Sequence, residues 1–166
     1  MLYLFVIVTL MYMCTTICKK LYIGYKLKNT KHEIKNRYNQ LIHVLTKNYN
    51  DNIFVERLLN HKNPKFVLIK NPSTQGFGYN INKGEEIGLC MLNYKTGLPN
   101  KIDDIFYILL HELAHIMTIS YTHDEEFYAN FHFLCTVASE NNIFVLNDYK
   151  NNPSEFGNGY IKVDDK

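Results

Sequence analysis

The segment His111–His115 restricts the possible folds of this chain more than any other, because it reads His-Glu-Leu-Ala-His within a helical pattern. Apolar residues recur around it at the α-helical period and form one stripe. The members of the stripe are Ile102, Ile105, Phe106, Leu109, Leu110, Leu113, Ile116 and Met117. At about 100° per residue, His111 and His115 project away from these residues. The sequence therefore predicts a helix that buries one face and presents two imidazoles to a cleft.

The spacing of the two histidines is typical of a zinc site. Residues at i and i+4 lie one turn apart on one helical face, so His111 and His115 can both reach one Zn²⁺ at about 2.0–2.1 Å. Glu112 follows the first histidine and cannot easily bind the same ion, but it can act as a general base toward a water molecule. A catalytic zinc needs a third protein ligand and an open position. Zn²⁺ is therefore the predicted cofactor, with one ligand still to be found.

His123 is the candidate for the third ligand. Thr122 and Glu125 have the spacing of a capping box, which places His123 in the first turn of a second helix. The positive end of that helix disfavours an imidazolium, and metal ligation requires the neutral ring. A carboxylate such as Glu126 or Glu140 is the alternative third ligand.

The remaining pattern predicts a small sheet and further helices. A capping box beginning at Thr30 predicts an amphipathic helix, and Asn100 is the predicted cap of the helix that carries the two histidines, with Asp103 in its first turn. The other predicted elements are a short helix at Ile53–Leu59, strands at Phe66–Ile69 and Ile87–Leu92, a loop or hairpin at Asn71–Lys83, and a short strand or extended segment at Ile143–Leu146.

The N-terminus is a candidate membrane segment. Leu2–Cys18 contains no charged residue, and its seventeen residues are at the short end of what spans a hydrocarbon core of about 30 Å. Lys19, Lys20, Lys26 and Lys28 follow, which places the C-terminal domain in the cytoplasm by the positive-inside rule. The charge follows the apolar run and no small-residue cleavage site is present. We therefore expect a single-pass signal-anchor, with a secretory signal and a secreted protein as the alternative.

These patterns divide the 166 residues into four segments. They are a transmembrane signal-anchor at 1–20, a basic linker at 21–30, a metallopeptidase domain at 31–150 and a C-terminal tail at 151–166. Hydrophobic residues make up 46% of the chain, which is enough for one buried core. The net charge of +2 creates no field that would attract nucleic acid, so direct nucleic-acid binding is not expected. The expected partners are a protein or peptide substrate and, through the N-terminal helix, the membrane; the oligomeric state is left open.

The pattern of His111–His115, a short spacer and then His123-Asp124-x-x-Phe127 resembles the WLM and SprT-like zinc metallopeptidases, which are minimal zincins. The chain is similar in particular to WLM-like proteins of large DNA viruses. The likeness spans roughly residues 66–146. It implies His111, His115 and His123 as zinc ligands and Glu112 as general base.

The expected fold class is α+β: a minimal zincin-like domain with an N-terminal helix, a small sheet and two active-site helices, behind an N-terminal transmembrane helix. The expected function is zinc-dependent hydrolysis of peptide bonds by activated water. The alternative is a catalytically inactive, membrane-tethered protein that binds zinc or a partner.

Overall fold

A small mixed sheet and two long helices form the layers that hold the histidines. The computed structural model describes residues 1–61, 63–69 and 76–161. The helices are α1 (Leu2–Asn48), α2 (Ile53–Asn60), α3 (Ile102–Met117) and α4 (Glu125–Glu140). The strands are β1 (Lys65–Leu68), β2 (Gly78–Ile81), β3 (Glu86–Leu89), β4 (Ser154–Phe156) and β5 (Gly159–Ile161). This mixture of helices with a small sheet confirms the predicted α+β class.

The sheet has the strand order β1-β3-β2, with β3 in the centre. β1 runs parallel to β3 and β2 runs antiparallel to it. Helix α3 packs against α4 on one side and against β2 and β3 on the other. The stripe predicted from the sequence is the contact surface, since Leu109, Leu110 and Leu113 are fully buried. Burial of such side chains stabilises the fold by about 1.5–3 kcal/mol each.

Helix α1 is a single helix of 47 residues, about 70 Å long. Its C-terminal half packs against α2 and α3 through a buried row at helical spacing, namely Ile34, Tyr38, Leu41 and Leu45. Residues 21–30 belong to this helix rather than to a linker, and the capping box predicted at Thr30 is wrong because Thr30 is a buried residue inside the helix. No proline interrupts this stretch, and its one glycine, Gly24, costs only about 1 kcal/mol relative to alanine.

The N-terminal half of α1 exposes its apolar side chains, among them Leu4, Phe5 and Leu10. By length and composition this helix could cross a membrane, and a secretory signal would meet the same criteria.

The shorter elements agree with the predictions in part. The strand predicted at 66–69 and the short helix predicted at 53–59 are present as β1 and α2, and β3 covers the first part of the strand predicted at 87–92. Of the predicted loop or hairpin at 71–83, residues 71–75 lie outside the described chain, whereas residues 78–81 form β2. Residues 143–146 form no strand and lie in an irregular segment that begins with a bend at residue 143.

Residues 154–161 pack onto the domain, although the sequence predicted a C-terminal tail at 151–166. β4 and β5 form an antiparallel hairpin whose Phe156 and Ile161 are buried in the core. Asp104, itself buried, accepts hydrogen bonds from Tyr149 Oη at 2.9 Å and from Ser154 Oγ. A buried carboxylate needs such donors to offset its lost hydration. The segment that contains Tyr149 and Ser154 supplies them and therefore packs on α3.

Candidate metal centre

Helix α3 presents His111, Glu112 and His115 from its last two turns. Asp103 lies in the first turn, as predicted, where the helix dipole favours a carboxylate. The predicted cap at Asn100 is wrong, because the cap position is Lys101. The Asn100 side chain instead donates to the carbonyl of Cys90 at 3.1 Å and accepts from the Gly157 amide at 3.3 Å. Asn100 therefore joins β3 to the C-terminal hairpin.

His123 lies in the connection between α3 and α4, and not in the first turn of α4. Asp124 is the cap of α4, since its carboxylate accepts a hydrogen bond from the Phe127 amide at 2.9 Å. The capping box predicted from Thr122 and Glu125 is therefore wrong. An ionised Asp at the cap satisfies the same backbone amide and also interacts favourably with the helix dipole. Since His123 precedes the cap, its position depends on how the connection is held.

The three predicted histidines converge. His123 Nε2 lies 3.1 Å from His111 Nε2 and 3.1 Å from His115 Nε2. Within the described residues, these three side chains form a group that could hold a metal ion, with all ligand atoms inside 4.8 Å of one another. Three nitrogens bound to one tetrahedral zinc at about 2.0–2.1 Å would be separated by about 3.3 Å. The observed separations are close to what one zinc ion requires.

The carboxylates that were alternatives for the third ligand are outside this group. Glu126 forms an ion pair with Arg57 at 3.0 Å and accepts a hydrogen bond from the Ile119 amide at 3.1 Å. Glu140 is exposed at the opposite end of α4. The structure therefore brings together His111, His115 and His123 and leaves both carboxylates elsewhere.

The surroundings of His111 and His115 favour neutral rings. Burial, together with the neighbouring His115 and His123, lowers the pKa of His111 to about 3. Burial also lowers the pKa of His115 to about 4, with contributions from His123 and from the charge of Lys83. Both rings are neutral near pH 7, which is the form that binds a metal. Neutral imidazole nitrogens are also donors that zinc prefers.

Phe127 forms one wall of the histidine group. Its ring centroid lies 4.8 Å from that of His111, 4.5 Å from that of His115 and 4.4 Å from that of His123. Because Phe127 is fully buried on α4, it restricts the orientation of all three imidazoles. The aromatic residue four positions after His123 therefore packs directly against the candidate ligands.

Glu112 lies beside the histidines and is almost completely buried, with 6% of its surface exposed. Burial raises the pKa of its carboxyl group to about 8. The carboxyl group rests against Gly78 of β2, where a Cβ atom would lie 2.5 Å from Glu112 Oε1. An open cleft of about 350 Å³ is lined by Gly78, Glu112 and the three histidines, among others. A substrate in this cleft would meet both the candidate metal ligands and the candidate base.

Three residues that position this site were not identified from the sequence: Gly78, Asn80 and Lys83. Asn80 Nδ2 donates to the Glu112 carbonyl at 2.9 Å, and Lys83 Nζ donates to the His115 carbonyl at 2.8 Å. Both contacts join residues 32 positions apart, so no local spacing could have indicated them. The sequence signal in this region, rich in Asn and Gly, indicated only a loop or hairpin.

Two tyrosines lie near the site. Tyr121 lines the cleft and its side chain is strongly exposed, with the Lys83 ammonium 4.4 Å from the ring centroid. The Tyr128 ring centroid lies 6.3 Å from that of His123.

Comparison with known proteins identifies the family. The WLM domain model matches residues 32–158. An uncharacterized protein of Acanthamoeba polyphaga mimivirus is 35% identical over 98 residues, which cover 58% of this chain and 50% of the viral protein. The chain thus spans about half the length of the curated relative it matches.

Two solved structures from Saccharomyces cerevisiae are also similar. A crystal structure of Wss1 matches with 21% identity and a TM-score of 0.43, covering 54% of this chain and 76% of that one. A Wss1 mutant matches with 19% identity and a TM-score of 0.48, covering 69% and 86%. The family model covers more than half of the chain and confirms the resemblance drawn from the two histidine segments. This chain therefore belongs to the WLM domain family.

Proposed function

We propose that this protein is a zinc-dependent metallopeptidase. The observation that carries the proposal is the convergence of His111, His115 and His123 beside the buried Glu112 in an open cleft. Membership in the WLM domain family supports the same function. The three histidines would hold the metal through their Nε2 atoms and leave one position open toward the cleft.

In the proposed hydrolysis, a bound zinc ion and the side chains of the protein would have separate roles. A bound zinc ion would lower the pKa of a water molecule and polarise the substrate carbonyl. Glu112, with its pKa lowered by the positive charge of the bound ion, would accept a proton from the attacking water at a carboxylate oxygen and pass it to the nitrogen of the leaving amine. Gly78 leaves room for that carboxylate at the edge of the sheet. Phe127 would keep the imidazoles of His111 and His115 aligned by packing against their rings.

We further propose that the substrate is an extended peptide segment. β2 pairs with β3 on one side, and its other edge has no neighbouring strand among the described residues. Three consecutive β2 residues, Gly78, Tyr79 and Asn80, line the cleft. An extended peptide could therefore add to this edge through main-chain hydrogen bonds.

The function is tested on the full chain purified in detergent. We expect stoichiometric zinc by elemental analysis and hydrolysis of an unfolded protein substrate. His111→Ala should lose the zinc, whereas Glu112→Gln should keep it and lose about 10²–10⁴-fold in kcat, the usual contribution of a general base. His132→Ala is the control, because His132 is an exposed histidine on α4 that lies outside the histidine group.

Each negative result has a separate meaning. A wild-type chain without zinc would reject the proposal at its first step. A wild-type chain that holds zinc but shows no turnover would be an inactive metal-binding module, and equal, measurable turnover in the wild type and in Glu112→Gln would reject Glu112 as the general base.

We also infer that the N-terminal part of α1 anchors the protein in a membrane, with the cleft on the cytoplasmic side. The exposed apolar side chains of this part and the lysines that follow them, Lys19 and Lys20, support this inference. Secretion through a cleaved signal is the competing fate. We propose no direct contact with nucleic acid, because the net charge of +2 gives no attraction for it.

A further inference from the structure

The turn between β2 and β3 directs one lysine toward the end of the histidine helix. Lys83 Nζ donates to the carbonyl of His115 at 2.8 Å, of Thr118 at 2.7 Å and of Ser120 at 2.6 Å. An ammonium group has three donors, so all of them are used within the protein. Lys83 therefore lines the cleft without a donor left for a substrate.

The three carbonyls belong to two parts of the chain that must be kept together. The His115 carbonyl lies in the last turn of α3, where carbonyls lack partners within the helix and the dipole is negative. Thr118 and Ser120 lie beyond the helix, in the connection that carries His123. A cation at this place both satisfies the end of α3 and ties the connection to it.

His123 depends on such a tie more than the other two histidines do. His111 and His115 are fixed by a helix whose apolar face is buried, whereas His123 is exposed and precedes α4. The connection is also held by the hydrogen bond from Ser120 Oγ to Asp124 and by that from the Ile119 amide to Glu126. Thr118, at the start of the connection, also bonds the Ala114 carbonyl of α3 through its amide and its hydroxyl, and Arg57 links the Met117 carbonyl to Glu126. Lys83 adds the tie from α3 that reaches as far along the connection as Ser120.

The backbone at Lys83 supports a role for its side chain. Its φ of +54° lies in the left-handed region, which is strained for a residue other than glycine. A glycine would fit this turn with less strain but would have no ammonium group. Asn82 has a similar φ of +50°, and its side chain donates only to Glu85, within the turn.

The geometry points to Lys83 as a positioning residue that sets the distance of His123 from His111 and His115 and thereby the affinity of the site for zinc. This inference rests on the proposed three-histidine zinc site. Lys83 would act through the backbone of α3 and of the connection, not by touching the metal or the substrate.

The test compares glycine substitutions in one turn, using the full chain in detergent. Lys83→Gly removes the ammonium and relieves the backbone strain, so the turn itself should be favoured. Asn82→Gly is the matched control, because Asn82 has nearly the same φ and its side-chain hydrogen bond to Glu85 stays within the turn. Lys83→Met removes the donors while keeping the strain, and Lys83→Arg restores charge and donors. The readouts are the Kd for Zn²⁺ by competition with a chelating dye and the visible spectrum of the Co²⁺-substituted protein.

We expect Lys83→Gly and Lys83→Met to weaken zinc binding by about 10–100-fold, the usual effect of losing a residue that supports a metal ligand. Their Co²⁺ spectra should also change, whereas Asn82→Gly should match the wild type and Lys83→Arg should recover part of the affinity. Unchanged Kd values and spectra in both Lys83→Gly and Lys83→Met would overturn the role of Lys83 while leaving the zinc site intact. A wild-type chain that binds neither metal would instead overturn the proposed function.

Discussion

At the scale of single residues, Glu112 and the histidines beside it respond to pH in opposite directions. The pKa of Glu112 is raised from 4.5 to about 8, so its contribution to stability is present at low pH and is lost as the pH rises through 8. The pKa values of His111 and His115 are lowered from 6.5, so their contribution is present above 6.5 and is lost in acid. Between pH 6.5 and 8, only the Glu112 effect of these three remains.

We therefore predict that the metal-free protein loses about 2 kcal/mol of its free energy of unfolding between pH 6.5 and 8, since each pKa unit corresponds to about 1.4 kcal/mol. The melting temperature should fall by roughly 4–8 °C over this range. Circular dichroism during heating, with a chelator present, measures this. Glu112→Gln should remove the slope, and Glu140→Gln, at an exposed position, should retain it. Equal slopes in both variants would contradict this origin of the pH dependence.

At the scale of elements, β2 packs on α3 at the segment that carries Glu112. Gly78 lies against the Glu112 carboxyl group, and Asn80 donates to the Glu112 carbonyl. Lys83 then holds the end of α3. One short edge strand and its turn thus support the candidate base and two candidate ligands. Gly78 and Asn80 both face Glu112 because residues two positions apart in a strand lie on the same face of the sheet.

Gly78→Ala should separate metal binding from catalysis. The new Cβ would lie 2.5 Å from Glu112 Oε1 and 2.7 Å from Ile108 Cγ2, so these side-chain ends must move. The Glu112 carboxyl group is the end of a flexible side chain, whereas Ile108 Cγ2 sits on the β-branched carbon of a helical residue, so β2 must also shift slightly. We expect the fold and the zinc content to survive this shift. A displacement of the base by about 1 Å should lower kcat roughly 100-fold. Gly24→Ala is the control, since nothing lies within 4 Å of the added atom. Unchanged kcat in Gly78→Ala would show that the carboxyl group adapts without loss.

At the scale of the whole molecule, α1 joins an exposed apolar segment to the core without a break. The residues between Cys18 and Thr30 are helical, so the domain would be carried on a stiff stem rather than on a flexible linker. Eight residues, 19–26, at 1.5 Å each correspond to about 12 Å between the apolar segment and Leu27, which packs against the core. If the apolar segment lies in a membrane, this stiff helix would restrict the distance between the cleft and the membrane surface.

Membrane anchoring predicts that the expressed full chain stays in the membrane fraction after carbonate extraction and keeps its full mass. Ile7→Lys combined with Leu10→Lys should release it, because each lysine near the centre of a span costs about 3 kcal/mol. Tyr25→Lys, beyond the apolar segment, is the matched control. Release of the wild type by carbonate, or a shortened chain recovered outside the cell, would favour the secretory alternative.

The sequence by itself determined the features that depend on local periodicity. The spacing of His111, Glu112 and His115 is a property of any α-helix, and the apolar stripe required that helix to be buried on one face. His123 was predicted from a capping box that is wrong, but the family pattern of a histidine followed by Asp and an aromatic residue indicated the same residue. The cap at Asp124 was missed, because Thr122 and Asp124 both satisfy local capping rules and only the folded connection selects between them.

Only the tertiary structure decided what brings the third histidine to the other two and what supports the base. Gly78, Asn80 and Lys83 act on residues more than 30 positions away, and such contacts leave no periodic trace in the sequence. The same reason explains the C-terminal hairpin, which is polar along the chain but is drawn into place by the buried Asp104. The local spacing of residues in the sequence determines which side chains the site contains, and long-range packing determines how these side chains are arranged.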